Sequence, residues 1–401
     1  MQLHWIWYAM LKGISCQRKR QLLEIFRSPD ALFLAQKKDL EQVQGIKREE
    51  IPVLMNKDLT EASQIRIRCK ERGIGILALA DSGYPDTLRM LEDAPMVLYY
   101  MGQLPDWEGM PAIAMVGTRN ATAHGLRIAH LFGAQAAACG GIVVSGGAKG
   151  IDGEALEGAC RQGGTCIAVM AGGLDRWYPK ENTPLFTEIL QRGCLISEYP
   201  PGIGNAKWNF LQRNRLISGI SQAVLVVEAP AKSGAMNTAQ WAADQGKELY
   251  AVPGNVDGTH CQGSNQLLKE GCKLAFSAWD ILEEFVPRYS GSVQDNREKV
   301  NRPPFAPEPV QPEKKRENPA QKDKKPIDNE GKSTYSVLNN DLPDLTPEEK
   351  DLVLLLTKEP VSVDSIVERA QIPTAKAMTI LTMLTMKGIA KNHPGRRISL
   401  K

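Results

Sequence analysis

Five short stretches hold the residues that could do chemistry. "GTRNAT" (117–122), "SGGAKGID" (145–152), "AGGLDRWYP" (171–179) and "PGNVDG" (253–258) are polar and Gly-rich, and each follows an apolar run. Glycine permits tight turns and lets backbone N–H groups come close to a phosphate. Arg119 and Lys149 add positive charge to two of these turns. The fifth stretch, "KWNFLQRNRLISGIS" (207–221), sets Lys207, Arg213 and Arg215 around Trp208 and Phe210. Cations interleaved with rings suit a single-stranded nucleic acid, whose phosphates follow the charges while its bases stack on the rings. An amphipathic helix with a solvated basic face has the same spacing. Arg213 and Arg215 are two apart and do not share a helical face. One is expected to reach a ligand, the other a structural partner such as Glu228.

Familiar nucleotide sites are missing. The first turn reads "VGTRNATAHG", not G-x-G-x-x-G, and Ser145-Gly146-Gly147 stand where a ribose-binding carboxylate would be. There is no G-x-x-x-x-G-K-[ST] string either. Catalytic groups are sparse: of five histidines only His124 falls near the expected site, and Ser145 lacks a nucleophile-elbow frame. Asp152 and Asp175 have acid–base chemistry, but Asp152 is expected to cap the helix that follows it. No catalytic constellation, metal site or cofactor is expected. The eight cysteines are scattered without a C-x-x-C pair, which points to reduced thiols in a cytoplasmic protein.

These turns need a frame to hold them. "AIAMVG", "GIVVSGG", "TCIAVMAGG", "CLISE", "AVLVVEA" and "ELYAVPG" are continuous apolar runs, the pattern of strands buried on both faces. Helical stretches such as "HGLRIAHLFGAQAAAC" alternate with them, so an α/β, doubly wound, mostly parallel sheet is expected. Ligands of such sheets sit beyond the carboxyl ends of the strands, where the strand order reverses. Before the sheet, residues 1–73 read as short helices with Gly-Ile steps, a SAM-like or helix-hairpin-helix module. The sheet domain is expected over 74–286. Residues 287–344 hold nine prolines and many charges, a disordered linker by composition. Residues 345–401 resemble a winged helix whose second helix, about 373–387, carries only Lys376 and Lys387 as charges. The start "MQLHWIWYAMLKG" has no basic leader, no run reaches the ~18 residues of a membrane span, and the formal charge of 401 residues is only +3. Any basic site must therefore be local.

The ordered series "YPDTLRMLEDAPMVLYYMG", "VGTR", "SGGAKGID", "GGLDRWYPKEN", "SEYPPG", "FLQRNRLISGIS", "VVEAPAKSGAMNTAQWA" and "VPGNVDGTHCQGSNQLLKEGC" resembles the DprA/Smf family of bacterial DNA-processing proteins over roughly residues 80–285. Where the family usually has "SGLARGIDAAAH", this chain has Lys149 for the Arg and Leu156 for the His. Leu211 replaces the Pro of the usual "FPxRNR". The resemblance implies a Rossmann-like domain that binds single-stranded DNA, hands it to the RecA recombinase and forms a homodimer. By matching positions it places Gly117, Thr118, Arg119, Ser145, Gly146, Gly147, Lys149, Lys207, Phe210, Arg213 and Asn214 in the DNA site. A nucleotide phosphoribohydrolase on a similar fold would carry P-G-G-x-G-T-x-x-E, which is absent; a small-ligand carrier is the other alternative.

Overall fold

The computed structural model describes residues 2–300 and most of 352–400. It divides into two units, Met1–Pro307 and Glu308–Lys401.

The first unit opens with six helices: α1 (Gln2–Met10), α2 (Cys16–Phe26), α3 (Pro29–Leu34), α4 (Lys37–Glu41), α5 (Glu50–Met55) and α6 (Thr60–Glu71). Ser15 and Ser28 cap α2 and α3 by accepting from Arg18 N and Ala31 N. α1 buries Trp5, Ile6, Trp7 and Tyr8 in a core that also holds Leu22, Leu32 and Leu54. The helices end near the boundary read from the sequence, but their apolar core runs without a break into that of the sheet.

The sheet contains β1 (Gly75–Ala78), β2 (Val97–Gly102), β3 (Ala112–Val116), β4 (Ile142–Ser145), β5 (Cys166–Val169), β6 (Cys194–Ser197), β7 (Ala223–Val226), β8 (Glu248–Ala251) and β9 (Lys273–Leu274). Its order is β1-β2-β6-β5-β4-β3-β7-β8-β9. β3 to β7 are buried on both faces, as their continuous apolar text requires. All neighbours from β6 to β9 pair in parallel, while β1–β2 and β2–β6 are antiparallel. The stretch 74–102 thus adds two strands to the sheet edge.

Crossover helices α8 (Ala123–Ala138), α9 (Ile151–Arg161), α10 (Thr183–Ile189), α11 (Lys207–Ile220), α12 (Gly234–Asp244) and α13 (Gln262–Lys269) follow β3 to β8, after a short α7 (Asp86–Arg89) between β1 and β2. α8 and α9 lie in close contact: a Cβ on Gly133 would fall 1.9 Å from Ala155 O. The chain runs β3 to β6 outward on one side, then returns through α11 to place β7 on the other side of β3. The strand order reverses there.

The expected linker start at 287 is corrected. Tyr289 and Val293 are buried, Gln222 Nε2 donates to Tyr289 Oη, and Asn296 Nδ2 donates to Ala138 O. Apolar side chains in this segment complete the core despite its polar composition. The rest of the expected linker, 301–344, lies outside the described residues.

In the second unit, β10 (Val361–Ser362), helices Val363–Ala370 and Thr374–Met386, β11 (Ala390–His393) and β12 (Arg397–Leu400) form a winged helix. Its three strands are ordered β10-β12-β11, over a core that includes Leu352, Val363, Ile366, Leu381, Leu384 and Ile398. Among the described residues no helix is long and apolar enough to cross a membrane.

Candidate nucleic-acid interface

A pocket of about 220 Å³ opens at the carboxyl ends of β3 and β7, where the strand order reverses. Its walls come from the turn after β3 (Gly117, Thr118, Arg119), from Ala148 and Asp152 at the start of α9, from the first turns of α11 and from the start of α12. The amino ends of these three helices leave backbone N–H groups without intrahelical partners, which favours an anion.

Each turn is tied down by a buried polar group. Glu228, at the end of β7, accepts from Thr122 N (2.8 Å) and Thr122 Oγ1 (2.9 Å). That carboxylate fixes the 117–122 turn and leaves Arg119 exposed on it. The 145–150 turn is clamped from both sides. Asn182 Nδ2 donates to Gly147 O (3.0 Å), and Arg213 Nη1 donates to Gly146 O (2.8 Å) and to Val169 O. Gly146 is required here, since a Cβ would lie 2.5 Å from the Arg213 guanidinium.

Asp152 is buried and accepts from Gly146 N (3.2 Å). Burial pushes its carboxyl up, against the opposing pull of Arg213 and of the backbone amides of Gly117, Ala148 and Gly146. Burial lowers Arg213 to about 10, which leaves it charged at neutral pH. The expectation that Asp152 caps its own helix is corrected: its amide donors lie in the turns, and Gly150 occupies the N-cap of α9. Asn214 Nδ2 donates to Gly234 O and Asn237 Oδ1, joining α11 to the first turn of α12.

Phe210 is the ring of the site. The Arg119 guanidinium carbon stands 5.1 Å above its centroid, the Arg213 carbon 6.0 Å, and Tyr178 meets it edge-on at 5.7 Å. Lys207 opens α11 and is exposed, as is Trp208. Neither Arg119 nor Lys207 has a carboxylate partner within 4 Å among the described residues.

Of the residues expected in the site, Gly117, Thr118, Arg119, Lys207, Phe210, Arg213 and Asn214 line the pocket. Ser145, Gly146, Gly147 and Lys149 do not. Ser145 is fully buried and its Oγ donates to Met115 O on the adjacent strand, so it faces the sheet. Gly146 and Gly147 are buried in the clamped turn, and Lys149 is exposed beside the pocket. Glu228 as the expected structural partner of one of the two arginines is also corrected. Arg215 pairs with Glu198 (2.5 Å) and Asp93 (3.3 Å), because its place on α11 faces the turns after β6 and before β2. Sequence reasoning missed Ser233, Gly234, Ala235 and Thr238. Their signal was the Ser-Gly step after β7, the other strand at the reversal; Ser233 Oγ accepts from Met236 N and caps α12.

Comparison with known proteins gives a consistent assignment. Residues 75–286 match the family model described as DNA recombination-mediator protein A. Residues 339–396 match the DprA winged helix domain. The chain is 37% identical over 219 residues to the DNA processing protein DprA of Bacillus subtilis, spanning 55% of this chain and 74% of that protein. It is 28% identical to Protein Smf of Synechocystis, over 99% of this chain and 98% of that one. The X-ray structure of DNA processing protein A from Streptococcus pneumoniae superposes with a TM-score of 0.62 at 31% identity, covering 70% of this chain and 97% of that one. With the family model spanning the whole sheet and its pocket, this chain belongs to the DNA recombination-mediator protein A family.

Proposed function

We propose that the chain binds single-stranded DNA at the strand-end pocket and delivers the RecA recombinase to that strand. It acts as a homodimer in the cytoplasm, by binding and without catalysis. The observation that carries the DNA reading is the pairing of unpartnered cations with a ring at one pocket. Arg119 and Lys207 offer charge to phosphates, and Phe210 lines the same pocket as a surface for a base. Arg213 adds charge beneath the ring, and its Nε is buried without a protein acceptor at the pocket wall. Gly117 and Thr118 contribute backbone at the same wall, and Asn214 shapes it. Ser145, Gly146 and Gly147 act by forming the turn that Arg213 clamps, and Lys149 reaches the strand from the rim. A role in recombination is supported by the family's description as a recombination mediator, while RecA as the recombinase and self-association rest on the motif resemblance alone.

The test compares a labelled oligothymidine with a duplex of equal length across a salt series. The single strand is expected to bind more tightly. The slope of log affinity against log salt is expected near −0.7 for each phosphate contacted. Equal affinity for duplex and single strand would overturn the reading. RecA delivery is tested by adding the protein to strands coated with a single-strand-binding protein and following RecA filament growth, which is expected to accelerate. Unchanged growth would refute that step alone.

A further inference from the structure

We propose a second nucleotide subsite in the groove next to the pocket, with Tyr178 as the surface on which its base stacks. The inference rests on the DNA reading above and extends it to residues outside the pocket.

The pocket is small. About 220 Å³ falls below the ~300 Å³ at which cavities enclose a drug-sized ligand. It accommodates part of a nucleotide, and a continuous strand must leave it. Phe210 marks one exit. Its ring meets Tyr178 at a centroid distance of 5.7 Å and an interplanar angle of 69°. Tyr178 lies in the turn after β5 and is 46% exposed. It also lines a separate groove of about 840 Å³. The two rings therefore link the pocket and the groove into one path.

The groove has the chemistry of a base and its phosphate. Leu174 and Trp177 form part of its wall, and Arg72 and Arg176 stand at its rim, both exposed. Asn205, whose Nδ2 donates to Arg176 O (3.3 Å), sets an amide at the same wall. The one carboxylate there is already engaged: Asp175 accepts from Gly202 N (2.9 Å) and lies 3.9 Å from Arg176. An apolar wall with a cationic rim, continuous with an aromatic ring in a basic pocket, matches an unpaired strand. A purely apolar partner would leave Arg72, which has no carboxylate within 4 Å among the described residues, without counter-charge. Arg72 immediately follows α6, so the helical region contributes directly to the strand's path.

The experiment uses the full chain with Tyr178→Ala and Tyr178→Phe. Affinity is measured for oligothymidines of about 4 and about 16 nucleotides, which bracket the common site sizes of single-strand binders. Tyr178→Ala is expected to lose roughly 5- to 150-fold on the longer strand, the span of one base–ring stack, with a smaller loss on the shorter. Tyr178→Phe should bind like the parent. A long strand bearing 5-iododeoxyuridine should photo-crosslink to Tyr178 in the parent. Thermal melts confirm that the variants fold, and Arg119→Ala reports on the pocket independently. If Arg119→Ala weakens binding while Tyr178→Ala matches the parent at both lengths and no crosslink forms, the subsite is refuted and the pocket stands. If the parent does not bind the oligothymidines, both readings fall.

Discussion

Replacing Arg213 by Met should destabilise the first unit. The guanidinium donates to Gly146 O and Val169 O inside the fold, and the side chain is only 4% exposed. Each hydrogen bond from a charged donor contributes about 1.5–3 kcal/mol. Met retains most of the apolar bulk, so the cavity term is small. The two lost bonds therefore cost roughly 3–6 kcal/mol. At about 2 °C per kcal/mol for a large domain, the melting temperature should fall by roughly 6–12 °C. Arg213→Lys should recover only part of this, because a single ammonium cannot reproduce the planar fork. The deficit should also depend on pH. Arg213 lowers the Asp152 carboxyl that burial pushes up, so without Arg213 the folded-state pKa rises further. A raised folded pKa means stability present at acid pH and lost as pH rises through it, so the gap to the parent should widen from acid to neutral pH. The assay is calorimetric or circular-dichroism melting of parent and variants across that range. If Arg213→Met melts within about 1 °C of the parent, the clamp on the 145–150 turn is not structural and the reasoning fails.

Three further outcomes follow from the same coordinates. Arg119→Ala should weaken oligothymidine binding and flatten the salt slope by about 0.7. Phe210→Ala should cost roughly 1–3 kcal/mol and leave the slope nearly unchanged, because stacking releases no counterions; a salt titration of both variants separates the two effects. A chain ending at Pro307 should keep its melting temperature and bind oligothymidine within about tenfold of the full protein. One ending at Val286 loses the burial of Tyr289 and Val293, each ~1.5–3 kcal/mol, and should melt several degrees lower. Burial lowers Lys19 to about 8, with its Nζ donating to Ala9 O. Its folded pKa lies below the unfolded one, so stability should rise with pH between about 8 and 10.5, by at most ~3 kcal/mol. Lys19→Met should flatten part of that rise in urea titrations below pH ~10, where tyrosines begin to ionise in the unfolded chain.

The central strands were legible because a strand buried on both faces leaves an uninterrupted apolar run, as in "AIAMV" and "AVLVV". The antiparallel edge was less so: β1 is partly exposed and short, and "VLYYMG" trades burial for exposure along its length. The positions of the Gly-rich turns followed from the strand ends, but the roles inside them did not. Ser145 is the last residue of β4, and strand geometry turns its hydroxyl to a neighbouring strand's carbonyl. Glu198 and Asp93, which hold Arg215, lie on turns brought together only by the sheet order. The spacing of two in "RNR" correctly separated the two arginines' faces, yet both are buried. Spacing fixes relative direction along a helix; the neighbouring layer decides what lies there.

The distribution of charge explains why composition gave no sign of a DNA site. A net charge of +3 over 401 residues creates little field at long range, and charges more than ~8 Å apart are largely screened at physiological salt. At the pocket, Asp152 offsets Arg213, and Glu228 lies buried behind the 117–122 turn, where Thr122 donates to it. The charge presented outward comes from Arg119, Lys207 and Lys149, all exposed around the same turns. A few exposed cations around one site act together on a strand that enters it, although the chain's net charge is small. Affinity then depends on a few phosphates and one or two rings. On the proposed reading, moderate salt weakens binding without abolishing it, because the stacking contribution remains when the electrostatic one is screened.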